Sequence, residues 1–206
     1  MQNALRELVG FLRSRGVSVT ENARPVDSAE CHAVYIHLLR AATGAHYDDA
    51  GYAQALARAS GYAPDDASYP ARLFRGNTSS HRRWTQVDEL RVKMQRQWAV
   101  FFEQHDLLIC PVATTPAFAH NQRGERWERM IPVNGHHQPS TDALFWAGYP
   151  GIVGLPATAV PLGLSPEGLP VGAQIVAPVF GDPDGLRFAQ WLEREYRAFV
   201  PPPALA

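Results

Sequence analysis

Lysine is almost missing from this chain: of 19 basic residues only Lys93 is one, and every other is arginine. A mechanism that needs a lysine therefore has a single candidate. Cysteine is scarce too, with two among 206 residues. Cys31 falls in a predicted helix and Cys110 in a predicted buried strand, the use of small hydrophobes in a reducing compartment and not of a disulfide framework, so a cytoplasmic location is expected. Neither sign of charge is in excess: 19 basic and 20 acidic residues leave a formal net charge of -1, and no stretch gathers arginines into a stripe. Nucleic acid and a membrane surface are thus not expected partners. Long apolar runs are absent as well. Nothing approaches the ~18 apolar residues of a spanning helix, and Met1 is followed by Gln2, Asn3 and Ala4 without the basic start and apolar core of a secretory signal.

The missing motifs exclude whole chemistries. There is no G-x-S-x-G at a strand-to-helix turn; Gly163 to Gly168 comes one residue out of register and sits where a hairpin turn is predicted. HExxH, CxxC, phosphate loops and the dinucleotide fingerprint are not present. The eight histidines have poor metal spacing: His32 and His37 are five apart and turn to different helix faces, and the adjacent His136 and His137 do not easily share an ion. No metal and no cofactor is expected. Ser79, Ser80 and His81 put hydroxyls beside an imidazole, but neighbouring side chains rarely aim at one centre and no glycine is at hand to build an oxyanion site. Loop polarity explains them better. Asp48-Asp49 and Asp65-Asp66 read as solvated loop pairs.

What is present is an ordinary globular composition, 46% hydrophobic and 19% charged, in one domain spanning residues 1–206. Leu5, Leu8, Val9 and Leu12 repeat at helical spacing, Gly16 ends that helix, and Val17 to Val19 alternates like a strand. Asp27 with Glu30 starts a helix from about Ser28 to Thr43. A short helix around Tyr52 to Ala59 and a turn-rich stretch from Gly61 to Arg83 follow. Thr85 and Asp88 are expected to cap the longest helix, whose stripe runs through Val87, Leu90, Met94, Trp98 and Phe101. Lys93 lies inside it, a solvated residue of the polar face. Leu107 to Val112 reads as a buried strand, with Pro111 near an edge or end. Residues 113–142 form a long irregular loop, too long for a passive connection. Ala143 to Ala147 suggests a helical turn or two.

The segment Gly154 to Val176 makes the strictest backbone demands. Thr158 to Leu162 and Val171 to Val176 are short and apolar, with Ser165-Pro166-Glu167-Gly168 supplying turn chemistry between them. A hairpin is predicted. Asp182 as N-cap and Pro183 at the first helical position then open a last helix through Leu186, Ala189, Leu192 and Tyr196, and a proline-rich tail at 201–206 ends the chain.

The run GLPATAVPLGLSPEGLPVGAQIV, with PVFGD and LRFAQWLE after it and HDLLICPVATTPAF before it, strongly resembles the C-terminal region of the amidase signature family. The likeness continues, more weakly, back through WTQVDELRVKMQRQWAVFFEQ to the opening helix. It implies an α/β fold, a mixed β-sheet flanked by helices, and hydrolysis of a carboxylic amide C–N bond. In that family a Ser-cis-Ser-Lys triad does the chemistry, on a G-G-S-S-G-G-S-like stretch that this sequence does not contain, so no catalytic residue is carried over. Ser79-Ser80 precedes Lys93, the reverse of the family order. The resemblance implies substrate-side roles for Phe118, Trp127, Phe145 and Trp146, with loop 113–142 beside the pocket, and for Asp142, which resembles in placement an acid that contacts the substrate amino group in glutamine-using relatives. Two functions stay open. The chain is part of an amidase acting on a small-molecule amide and inactive alone, or it is a stand-alone module for a small apolar ligand or for a partner chain carrying an N-terminal catalytic half. If the strands that flank this region in the family are lacking, the strand starting at Leu107 and the N-terminal helix–strand unit are expected to leave an unpaired edge or an apolar face open, with self-association or poor solubility.

Overall fold

The segment of strictest backbone demand folds as its residues predict. In the computed structural model, which describes residues 1–201, Ala157–Leu164 (β4) and Pro170–Val176 (β5) form an antiparallel hairpin. Gly168 closes the turn, donating to the Ser165 carbonyl at 2.9 Å with φ of +78°, a conformation that costs glycine alone little. A register shift between Pro161 and Gly163 bends β4. Leu108–Pro111 (β1) pairs antiparallel with the other side of β5, giving the order β1-β5-β4.

Period-two alternation splits this sheet between two cores. Val171, Ala173 and Ile175 of β5, with Val160 and Leu162 of β4, face Leu8 and Leu12 of helix Gln2–Ser14 (α1) and Leu192 of the C-terminal helix. Cys110 and Val176 turn to the opposite face, among Val34, Met94, Trp98 and Tyr149. Helices therefore cover both faces, as expected of an α/β portion of the amidase fold. Each pairing between described strands is antiparallel.

Ser28–Gly44 (α2) begins as foreseen, Asp27 accepting from the Glu30 N–H at 2.7 Å. Asp49–Ser60 (α3) follows, longer than the piece predicted there. The stretch from Gly61 to Arg83, predicted to be turns, contains helix Tyr69–Asn77 (α4), with Ser68 as cap and Pro70 in its first turn. The longest helix, His81–Phe102 (α5), starts before the predicted Thr85 cap. Ser80 accepts from Arg83 N–H at 3.2 Å, and Thr85 instead donates back to the His81 carbonyl at 3.0 Å. Residues 81–86 are all exposed, so no apolar stripe marks that first turn.

Val17 to Val19 does not make a strand. It runs without a ladder partner among the described residues, and its valines pack on the α1 core. Alternation reports which side is apolar and not whether a second backbone lies alongside. Segment 113–142 is irregular only in its first part. A 3-10 helix at Arg126–Glu128, then a hairpin of Met130–Val133 (β2) and His136–Pro139 (β3), then a second 3-10 helix at Ser140–Ala143 order the remainder. Asn134 and Gly135, both at positive φ, make its turn, a dipeptide that is itself a hairpin signal. Leu144–Gly151 (α6) leads into β4, and Asp182–Glu195 (α7) closes the fold with Gly181, not the predicted Asp182, at its cap. Beyond Pro201 the predicted proline-rich tail lies outside the described residues.

Candidate functional site

The substrate-side residues implied by resemblance do not share one wall. Phe145 and Trp146 sit on α6, edge-on to one another at 4.9 Å, with Phe145 stacked on buried Tyr149 at 5.3 Å. Asp142 is exposed on the 3-10 helix just before them. Trp127, by contrast, stands against Phe74 of α4 at 5.9 Å. Phe118 is 46% exposed and makes no aromatic pair among the described residues.

What gathers round Asp142 and Phe145 is contributed by α2 and α4. The His32 ring lies 5.9 Å from Phe145, and its Nδ1 is buried without a partner. Burial lowers the His32 pKa below the ordinary imidazole value, the positive charge of Arg72 lowers it further, and Asp142 opposes both. The imidazole is therefore neutral at pH 7. Tyr35, one turn along the same helix face, has its phenol raised by burial, against the pull of Arg40 and Arg126. His32, Tyr35, Arg72 and Arg126 were not singled out as site residues by the sequence. The i, i+3 spacing of His32 and Tyr35 on one predicted helix was the available signal, but nothing in it says which segment that face meets.

Gln174 ties this region to the sheet. From the middle of β5 its Nε2 donates to the Trp146 carbonyl at 2.9 Å and the Pro111 carbonyl at 3.0 Å. The start of α6 is thereby hung from β5 and β1. Chemically the region offers an aromatic floor, one carboxylate, arginine charge and a neutral imidazole, a set that binds and orients a polar group on an apolar body.

His37 and Ser79, on the other hand, do meet: Nε2 and Oγ are 2.9 Å apart, joining α2 to the turn before α5. His32 and His37 thus face different neighbours, in keeping with their spacing. Burial, with Arg83 second, lowers the His37 pKa. Lys93 is exposed on α5. No group of three or more His, Cys, Asp or Glu side chains that could hold a metal is present among the described residues. No helix among them is long and apolar enough to cross a membrane. A cavity of about 480 Å³ opens elsewhere, between α5 and the ends of the hairpin, lined by Trp98, Ala99, Phe102, Val153, Leu155 and Val179 among others.

Comparison with known proteins matches this architecture. A family model described as Amidase covers residues 1–186. A glutamyl-tRNA(Gln) amidotransferase subunit of Exiguobacterium sp. is 30% identical over 119 residues, 58% of this chain and 22% of that protein. Fatty-acid amide hydrolase 2 of Homo sapiens is 44% identical over 70 residues, 32% of this chain and 13% of that protein. An amidase crystal structure superposes with a TM-score of 0.67 at 21% identity, covering 94% of this chain and 41% of its own. A bacterial aryl acylamidase of the amidase signature enzymes gives 0.64 at 18% identity, covering 98% and 43%. The chain therefore spans about a fifth or less of these two curated relatives and about two fifths of these two structures. With the family model matched over nearly its whole length and the fold shared across both helical layers and the hairpin, the chain belongs to the amidase signature family.

Proposed function

We propose that the chain acts as the C-terminal part of a carboxylic amide C–N hydrolase, supplying scaffold and substrate-side residues and inactive by itself. The observation that carries this is the family match over residues 1–186 in a chain with no G-G-S-S-G-G-S-like stretch and a single, exposed lysine. Phe145 and the neighbouring Trp146 form the apolar side for the acyl group. Asp142 accepts from an N–H of the substrate, and neutral His32 and Arg72 flank it. Phe118 and Trp127, which stand apart from α6, are left out of that wall. The Ser-Ser-Lys machinery this reading requires lies outside residues 1–206, and the free, buried thiols of Cys31 and Cys110 suit a reducing, cytoplasmic setting.

The test is turnover. Purified chain offered anilides and simple aliphatic amides should hydrolyse neither, while supplying the sequence encoded immediately upstream, fused in frame or co-expressed, should yield hydrolysis. Hydrolysis by the chain alone, abolished by Ser79→Ala, would overturn the proposal, because Ser79 is the hydroxyl within reach of a histidine.

A second reading is favoured by the 480 Å³ cavity, whose walls are largely Trp98, Phe102, Val153 and Leu155. Its size lies within the range of about 300–1,000 Å³ usual for ligand sites. In this reading the chain stands alone and binds a small apolar molecule there. Saturable binding of an apolar fluorescent probe, lost in Ala99→Trp, supports it; binding unaffected by that substitution counts against it.

A further inference from the structure

We infer that the pocket between α3, α4 and the 3-10 helix Arg126–Glu128 binds a small zwitterion of the amino-acid class with an apolar side chain. The inference does not rest on the hydrolase reading.

One face of α3 lines the pocket. Gly51, Gln54, Ala55 and Arg58 fall at i, i+3, i+4 and i+7, so they stand in one stripe. Opposite them are Phe74 of α4, Trp127 and Glu125. The floor is aromatic. Trp127 meets Phe74 edge-on at 5.9 Å, and the Arg58 guanidinium carbon lies 5.2 Å from the centre of the Phe74 ring. Lying over that ring face holds the guanidinium by its cation–π attraction while leaving its N–H fork free.

The charges are what define the ligand. Arg58 forms no ion pair and no side-chain hydrogen bond among the described residues; Glu125 forms no ion pair there, and its carboxylate accepts from the Glu128 backbone N–H in a capping box, which leaves acceptor capacity for a further donor. Both are exposed. A guanidinium and a carboxylate thus border one small aromatic pocket without neutralising each other. A carboxylate alone would satisfy Arg58 but be repelled by Glu125, and an amine alone would meet the reverse. A molecule carrying both groups pairs with both, its carboxylate taking the Arg58 fork and its ammonium donating to Glu125. The remaining side chain then lies on Phe74 and Trp127. The volume, about 270 Å³, limits the occupant to roughly amino-acid size, below the ~300 Å³ at which drug-sized sites begin.

The full chain is titrated by calorimetry with L-phenylalanine and L-leucine, with 3-phenylpropionate, which has only the carboxylate, and with 2-phenylethylamine, which has only the amine. At least one amino acid should bind saturably, and each single-charge compound about tenfold more weakly or worse. Arg58→Ala and Glu125→Gln should each weaken amino-acid binding about tenfold while the far-ultraviolet spectrum and cooperative thermal unfolding are retained, since Arg58 lies on the exposed side of Phe74 and Glu125 caps only the three-residue 3-10 helix. Arg58→Ala should leave phenylethylamine binding no weaker, and Glu125→Gln should leave phenylpropionate binding no weaker, because each removes the charge that repels that compound. No saturable heat with either amino acid, equal binding of all the compounds, or binding indifferent to both substitutions would overturn the inference.

Discussion

Gln174 donates to the backbone carbonyl of Trp146 across 28 residues of sequence, at 2.9 Å, and the same amide reaches Pro111 at 3.0 Å. Gln174 is 8% exposed, so water does not readily replace it. Removing it strands two carbonyls that face the interior. Gln174→Leu, close in volume and without donors, should therefore lower stability by about 1–3 kcal/mol, the cost of leaving a buried polar group unpaired. Urea denaturation of the two proteins checks this. The near-ultraviolet signal of the α6 aromatics should change as well, because the start of α6 loses its tie to β5.

Gly148 is where α6 touches α2. A Cβ placed there would clash with the Cγ, Cδ1 and Cε1 atoms of half-buried Tyr35, so the ring or the helix must shift to make room. Gly148→Ala is expected to destabilise by about 1–3 kcal/mol through overpacking. Combining it with Tyr35→Ala should recover part of that loss, and a double-mutant cycle measures the recovery as coupling. Additive losses would show that the two residues do not share this contact.

Acid and alkali should both weaken the fold, for opposite reasons. Burial keeps His32 and His37 neutral in the folded chain, with pKa values below the ordinary imidazole value, and Arg72 and Arg83 add to the effect. As pH falls through about 6.5 the unfolded chain binds protons that the folded chain refuses, so stability drops. Denaturation midpoints at pH 7.5 and 5.5 should differ in that direction, and His32→Gln with His37→Gln should flatten the difference. On the other side, burial pushes the Cys31 thiol up to about 11, the Cys110 thiol to about 12 and the Tyr149 phenol to about 12. Unfolded thiols ionise near ~8.5, so stability should fall again above that pH. The double change Cys31→Ala with Cys110→Ala should remove the thiol part of the alkaline limb.

The outer edge of β1 pairs with no described strand, and beyond it Val112 is 40% exposed. Val179 and Phe180, in the turn before α7, are 58% and 90% exposed, with Phe180 at a positive φ of 62°. An open edge beside apolar side chains favours association. Sedimentation should show oligomers that grow with concentration, reduced by Val112→Lys and Phe180→Asp. A monomer across the whole range would mean that these surfaces tolerate water.

Much of the local structure was legible. Asp27 capping α2, the apolar stripe of α5 and the β4–β5 hairpin depend on residues within a few positions of one another, and side-chain size, β-branching and turn chemistry act at that range. Even there, signals that compete with polar surroundings were hidden. The first turn of α5 is exposed throughout, and the Asn134–Gly135 turn lies in a segment whose polarity reads as loop. The strand expected at Val17 to Val19 failed for the converse reason, since its pattern was present and its partner was not. The candidate site was less legible. Asp142 and Phe145 were picked out through resemblance, but not the imidazole and arginine that stand beside them.

The sequence by itself determined the family, the hairpin with its glycine turn, and the absence of the serine-rich stretch on which the family's chemistry depends, because these are matters of residue identity along a short stretch. Only the tertiary structure decided that β1 lies next to β5, that His32 meets Phe145 while His37 meets Ser79, and that Trp127 pairs with Phe74, over which Arg58 lies. Those pairings join residues tens of positions apart. They follow from which apolar faces close over one another when helices cover both sides of a sheet, and that choice is made by the packing of the whole chain.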